Sequence, residues 1–431
     1  MNEKPLPVLE QERIEALAGD PDAFVPPRHR EIEGKVMVWP PYLPGATNGP
    51  PPTIFYKPGE LLTTVKFEDE VRILLAELGV LEGEIDERQA PGVVTFLVTG
   101  DSLAVARQVK QRIPAAPVGP HHVMALAPQP SIGPGGDPRP TAELPATGVA
   151  AANPPAPIAV IDTGMWMEPR PRPELAKTVD PASDNVEVVD AQRDSIVDHR
   201  GSGHGGFITG VILSRLPNAD VHNYDAFEPN AELTEISIVQ RVDQALADHD
   251  IVVLNMSLGS YEDKTCGGTE LVALRRGIAR WARQNSDGIL VAAAGNDSVS
   301  VPWYPAGFAA EYPDFVVSVG ALDAWRREDK PGARTRAAMF SNYGSWVTAW
   351  APGVDVVSDY PQGLHFVYFA PGGGPVGTGR FDDGRAKWDG TSFAAPYAAA
   401  EIARYAADHG LTPRQAWATI RGGRPFVVFG G

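Results

Sequence analysis

A single cysteine, Cys266, stands in 431 residues. It excludes an intrachain disulfide and cannot by itself build a cysteine-based zinc site. Positive charge is also scarce, with 37 Lys and Arg against 54 Asp and Glu and a net charge of -17. Nucleic acid and anionic membrane both reward clustered Lys and Arg, so neither is expected as a partner. No apolar run approaches the roughly 20 residues that span a bilayer. The opening MNEKPLPVLEQERIEALAGDPDAF is polar and acidic, without an apolar h-region or small-residue cleavage site. It reads as no secretory signal, and the expected location is cytoplasmic. Internal repeats are lacking as well.

What the chain has in quantity is Pro and Gly, 42 and 44 residues, on an ordinary 43% hydrophobic background. Long loops and linkers follow from that composition, and the length allows one large and one small folding unit. Residues 1–52 end in VWPPYLPGATNGPPP and read as an extended, Pro-rich arm rather than a core element. Residues 53–127 change texture to a small α+β domain. TIFYKPGELLTTV has hairpin-like punctuation, EDEVRILLAELGV and DSLAVARQVKQRI have helical periodicity, and GVVTFLVTG and HHVMALA read as strands. Residues 128–156 lack periodicity and read as a Pro/Gly-rich linker.

From 157 to 431 short apolar runs alternate with helical segments, which predicts a parallel α/β sheet covered by helices on both faces. In such sheets ligands gather beyond the carboxyl ends of the strands. The polar residues there become candidates: Asp162 after IAVI, Asn255 and Ser257 after IVVL, and Asn296 after ILVAAAG. Each has a plain alternative. Asp162 also suits a turn before Gly164, Asn296 a cap of the next segment, and His204 in GSGHGGFITGVI a core or surface position. Ser392 in GTSFAAPYAAA also suits a helix N-cap, since Ser and Thr accept a bond from a free backbone N–H. Nucleophilic serine chemistry needs a base, a carboxylate to orient it, and donors for the oxyanion. Asp162, His204, Asn296 and Ser392 offer those types, each at a strand end or helix start.

The pieces VIDTG, GHGGFITG, LNMSLG, AAAGN, YPA, FSNYG, APGV and GTSFAAP occur in this order between about 157 and 410, and together they resemble the subtilisin family of serine proteases. The triad order Asp, His, Ser is the one that family uses. The resemblance implies Ser392 as nucleophile, His204 as general base and acid, and Asp162 as its orienting carboxylate. It implies Asn296 as oxyanion donor beside the backbone N–H of Ser392. It further implies a cleft with Ser257, Leu258 and Gly259 on one wall and Ala293, Ala294 and Gly295 on the other, taking a protein or peptide as an extended strand. No cofactor and no metal are expected. An α/β-hydrolase would need G-x-S-x-G, and position 394 is Ala. The sedolisin relatives use a Glu and Asp pair, whereas this chain offers His204 and Asn296.

Several features depart from the family. Gly206 and Phe207 replace a common Thr-His pair, and SRLPNADVHNYDAF leaves no room for the usual calcium loop. Residues 361–389 read as a Gly-rich insertion that ends near the nucleophile, a lid, specificity loop or surface excursion. DSVSVPWYPA after Asn296 is short and should reshape the primary specificity pocket, with Asp297 hinting at basic substrate side chains. Pro396 should cost little if the helix starts near 392, because its missing N–H then falls where the first donors have no intrahelical partner anyway. Residues 53–127 match, in size and element order, the ferredoxin-like α+β prodomain that precedes many subtilisins. Self-cleavage would then fall at Ala125, Leu126 or Ala127, or the domain would stay attached as a regulatory module. The rival expectation is a catalytically idle subtilisin-like scaffold whose cleft the N-terminal domain occupies. The oligomeric state stays open.

Overall fold

A computed structural model describes residues 31–32, 36–39, 54–85, 90–126, 137–166, 174–175, 186–187, 203–228, 232–248, 251–262, 267–323, 336–369, 375–424 and 426–429. The N-terminal part runs β1 (Glu31–Ile32), β2 (Val36–Trp39), β3 (Ile54–Thr64), α1 (Glu68–Glu77), β4 (Leu81–Glu84), β5 (Val93–Val98), α2 (Ser102–Arg112), β6 (Val118–Val123) and β7 (Ala125–Leu126). Strands β1 to β6 form an antiparallel sheet ordered β1-β2-β3-β5-β4, with β6 also on β3. The helices bury Val71, Leu75, Val105, Ala106 and Val109 with Leu61, Phe96 and Val118 of the sheet. Asp101 caps α2 by accepting from Leu103 N at 3.0 Å.

Two readings of this region change. TIFYKPGELLTTV is one strand, not a hairpin: Gly59, at φ 76°, opens a bulge between Lys57 and Leu61 instead of reversing the chain. The sheet also reaches back into the Pro-rich arm, where β2 pairs with the start of β3.

The stretch read as linker is partly structured too. Here β8 (Arg139–Pro140) joins a small sheet, Gly148 N donates to Ser214 O, and Ala151 N to Asn218 Oδ1. Lacking periodicity, it takes its order from the surface it lies on.

Beyond it come β9 (Ile158–Asp162), α3 (His204–Arg215), β10 (Val221–Asp225), α4 (Glu235–Asp248), β11 (Val253–Met256), β12 (Leu258–Tyr261), α5 (Val272–Gln284), β13 (Ile289–Ala293), β14 (Trp303–Tyr304), β15 (Val316–Asp323), β16 (Ala349–Pro352), β17 (Val356–Asp359), β18 (Arg385–Trp388), α6 (Thr391–His409), α7 (Pro413–Arg421) and β19 (Val427–Val428). Seven of these strands form a parallel sheet in the order β10-β9-β11-β13-β15-β16-β19. Alternate residues of each strand face opposite sides, as period 2 dictates. Val160, Val253 and Val291 pack with α3 and α6, while Ile161, Leu254 and Leu290 pack with α4 and α5. Both faces are therefore buried, which explains the continuous apolar runs. Within 361–389, His365–Phe369 and Pro375–Arg380 pair as a hairpin, and β18 pairs between β17 and β8. No described helix is long and apolar enough to cross a membrane.

Candidate active site

Asp162 closes β9 and is fully buried. Its Oδ1 accepts from Thr163 N at 2.9 Å and lies 2.7 Å from Nδ1 of His204. His204 opens α3 behind Gly203, whose φ of 77° lets the chain turn sharply into the helix. Gly205 is required by closeness: a methyl there would sit 2.5 Å from the Gly164 carbonyl. The Thr163 hydroxyl accepts from Gly205 N at 2.9 Å and stitches strand end to helix start. The imidazole lies edge-on to Trp388 at 5.4 Å and tilted to Phe393 at 5.5 Å between ring centres. Aromatic walls lower the local dielectric and strengthen the carboxylate's hold on the ring. Neither Trp388 nor Phe393 was singled out by sequence, although both flank GTS.

Ser392 is the second residue of α6, not its cap. Gly390 holds the cap position with no side-chain bond. The Ser392 hydroxyl donates to the Ser257 carbonyl at 3.3 Å, while the Ser257 hydroxyl donates to the Ser392 carbonyl at 2.8 Å. His204 Nε2 is buried without a hydrogen bond among the described residues. The Ser392 hydroxyl is thus committed to Ser257 rather than to that nitrogen; catalytic bonds of this kind often form or tighten only when substrate binds. Pro396 is the sixth residue of α6, beyond the free first turn, which corrects the expectation of a harmless position. Its missing N–H is the one that would have bonded the Ser392 carbonyl. Ser257 supplies that donor from the cleft wall.

Asn296 follows Gly295, which sits at φ 97°. Its Oδ1 accepts from both Thr391 N at 3.0 Å and Thr391 Oγ1 at 2.8 Å, and Thr391 Oγ1 also accepts from Gly295 N at 3.1 Å. The carboxamide is thereby fixed with its nitrogen toward Gly390, where a methyl would lie 3.4 Å from Nδ2. Four candidates expected from scattered motifs thus meet at the carboxyl end of the sheet. Sequence reasoning did not reveal that Thr391 orients Asn296.

The wall segments are also brought together. Ser257, Leu258 and Gly259 are buried along one side, and Ala293, Ala294 and Gly295 on the other. Asn342 of FSNYG ties them: its Nδ2 donates to Ala294 O and to Tyr261 Oη, both at 2.9 Å. Tyr261 in turn donates to Asp297 Oδ2 at 2.6 Å. Burial pushes the Asp297 carboxyl up, and its commitment to Tyr261 removes the basis for reading it as a receptor of basic side chains. Leu126 and Ala125 pair antiparallel with Leu258 and Gly259. Ala127 lies outside the described residues.

These features coincide with one family. Residues 156–422 match the Subtilase family model. The chain belongs to the subtilase family. Among similar subtilases, a thermophilic serine proteinase of Bacillus sp. (strain AK1) is 30% identical over 212 residues, covering 47% of this chain and 44% of that protein. Subtilisin DY of Bacillus licheniformis is 29% identical over 174 residues, covering 38% of this chain and 56% of that protein. The chain thus spans about half the length of the curated relatives it matches. In fold it is similar to fervidolysin from Fervidobacterium pennivorans, with a TM-score of 0.54 and 19% identity, over 84% of this chain and 57% of that one. Among the described residues no group of three or more His, Cys, Asp or Glu is placed to hold a metal ion.

Proposed function

We propose that this subtilase is a serine endopeptidase acting on protein or peptide substrates within the cell, through Asp162, His204 and Ser392 with Asn296 as oxyanion donor. The observation that carries the reading is the buried Asp162–His204 pair at 2.7 Å, set beside a helix start that presents Ser392 and an Asn296 amide locked by residue 391. A substrate strand lies along Leu258–Gly259. His204 Nε2 takes the Ser392 proton as Oγ attacks the carbonyl, and Asp162 stabilises the resulting imidazolium. The oxyanion accepts from Asn296 Nδ2 and from the Ser392 backbone N–H, which the first helical turn leaves unpaired. His204 then passes its proton to the departing amine. Water repeats the sequence on the acyl-enzyme and frees the serine.

The same reading takes 53–127 as a prodomain-type unit and 157–431 as the catalytic one. Its support is the pairing of β7 with β12, the place a substrate strand would take. Met124 N donates to Leu233 O at 2.6 Å, and Lys57 bridges Glu228 at 3.2 Å and Glu232 at 3.0 Å. These contacts seat the unit on the enzyme and make it a built-in inhibitor. Self-cleavage near Ala125, Leu126 or Ala127 would start its release. The seated strand, with the Ser392 hydroxyl turned to Ser257, also favours the second reading of an idle scaffold.

Two measurements separate these readings. Wild type is expected to hydrolyse a proteome-derived peptide library and Ser392→Ala is not; equal products from both would overturn the protease reading. Intact-mass analysis of purified wild type is expected to show a break between about 120 and 157 that is absent from Ser392→Ala. An unbroken but active wild type would retire removal of the unit while keeping the enzyme.

A further inference from the structure

The two cleft walls are separated by a side chain of the protein itself. Trp303 lies between Gly259 and Gly295: a methyl on Gly259 would sit 2.5 Å from its Cε2, and one on Gly295 would sit 3.1 Å from its Cγ. The indole therefore reaches from one wall to the other, and it is only 6% exposed.

Several constraints hold it there. In the β12–β14 ladder Trp303 stands directly opposite Tyr261. The rings meet edge-on at 4.7 Å, and the Tyr261 hydroxyl is fixed by Asp297 and Asn342. The absence of side chains at 259 and 295 is what makes room for the ring, and Trp303 uses that room. Swinging it out would expose a large apolar surface and empty a well-packed site.

We infer that Trp303 closes the pocket for the residue preceding the scissile bond and restricts that position to Gly and Ala. This rests on the protease reading. The nucleophile touches Ser257 at the start of one wall, and Asn296 follows Gly295 at the end of the other. A carbonyl placed between Ser392 and Asn296 thus brings its own residue to the mouth of the gap the indole fills. A hydrogen or methyl fits at that mouth, whereas a Phe or Leu side chain needs the volume of the ring. The short DSVSVPWYPA stretch is what brings a Trp to this place.

The test uses the full chain. A small alkyl fluorophosphonate, indifferent to this pocket, first counts competent sites on Ser392. Paired tetrapeptide anilides differing only in a final Ala or Phe are then compared for wild type, Trp303→Ala and Trp303→Leu. Wild type is expected to favour Ala in kcat/KM by more than about tenfold, the scale on which hydrocarbon-pocket fit discriminates. Both variants are expected to shift the ratio toward Phe, Trp303→Ala further. Wild type that cleaves after Phe as readily as after Ala overturns the inference, as does a folded, labelled variant with an unchanged ratio. If Trp303→Ala does not fold, the wild-type ratio and Trp303→Leu decide. No labelling of any form rejects the protease reading instead, and the inference falls with it.

Discussion

Asn296 and His204 depend on partners that fix their orientation more than on their own identity. Thr391 binds the Asn296 oxygen twice, so the amide nitrogen is held turned toward Gly390. Asn296→Ala is expected to lower kcat about 10²–10³-fold with little change in KM, as loss of one preorganised donor does. Asp162→Asn should cost about 10⁴ in kcat, because the amide favours the wrong imidazole tautomer. Steady-state kinetics on one peptide checks both, and an Asn296→Ala effect confined to KM would remove it from the oxyanion role. The four residue types were legible because each ends a strand or opens a helix within a distinctive local sequence. Thr391, Trp388 and Trp303 were not, since their work is done on residues far along the chain.

At the scale of elements, α6 carries both Ser392 and a defect. Pro396 deprives the Ser392 carbonyl of its helical donor, and Ser257 supplies one from the cleft wall. Ser257→Ala is expected to destabilise the fold by about 1–3 kcal/mol, the cost of a buried acceptor left unpaired. In a Pro396→Ala background that cost should shrink, because the helix regains its own bond. Denaturant unfolding of the two single variants and the double variant measures the coupling, and strictly additive losses would show that the two sites are independent. The parallel sheet was readable from apolar runs of strand length alternating with helical periodicity. The bulge at Gly59, the arm strand β2 and the ordered stretch 137–153 were not, because each takes its form from a neighbour. Arg139 illustrates this, lying 2.8 Å from Asp355 and 3.1 Å from Asp389, three positions before Ser392.

For the whole molecule, on the prodomain reading, the N-terminal unit meets the subtilase body through groups whose protonation would differ once the unit is released. Burial lowers the pKa of His122 from 6.5 to about 3, so it is neutral when seated and protonated when released between those values. The released state then binds the extra proton, and seating weakens as pH falls from 6.5 toward 3. Burial raises Glu235 to about 8 despite its bonds from His122 N, Ala273 N and Leu274 N. Its contribution has the opposite sign and is lost as pH rises from 4.5 through 8. Limited proteolysis of β7 across pH should show protection falling off on both sides, with His122→Gln flattening the acid limb; protection independent of pH would refute this. Beneath all of this lies the claim that Ser392 is a nucleophile. The most direct measurement is the mass of the purified chain after a fluorophosphonate probe, beside Ser392→Ala. The account predicts one adduct mapped to Ser392 and none in the variant; an unlabelled Ser392, also after limited proteolysis of residues 1–127, would contradict it.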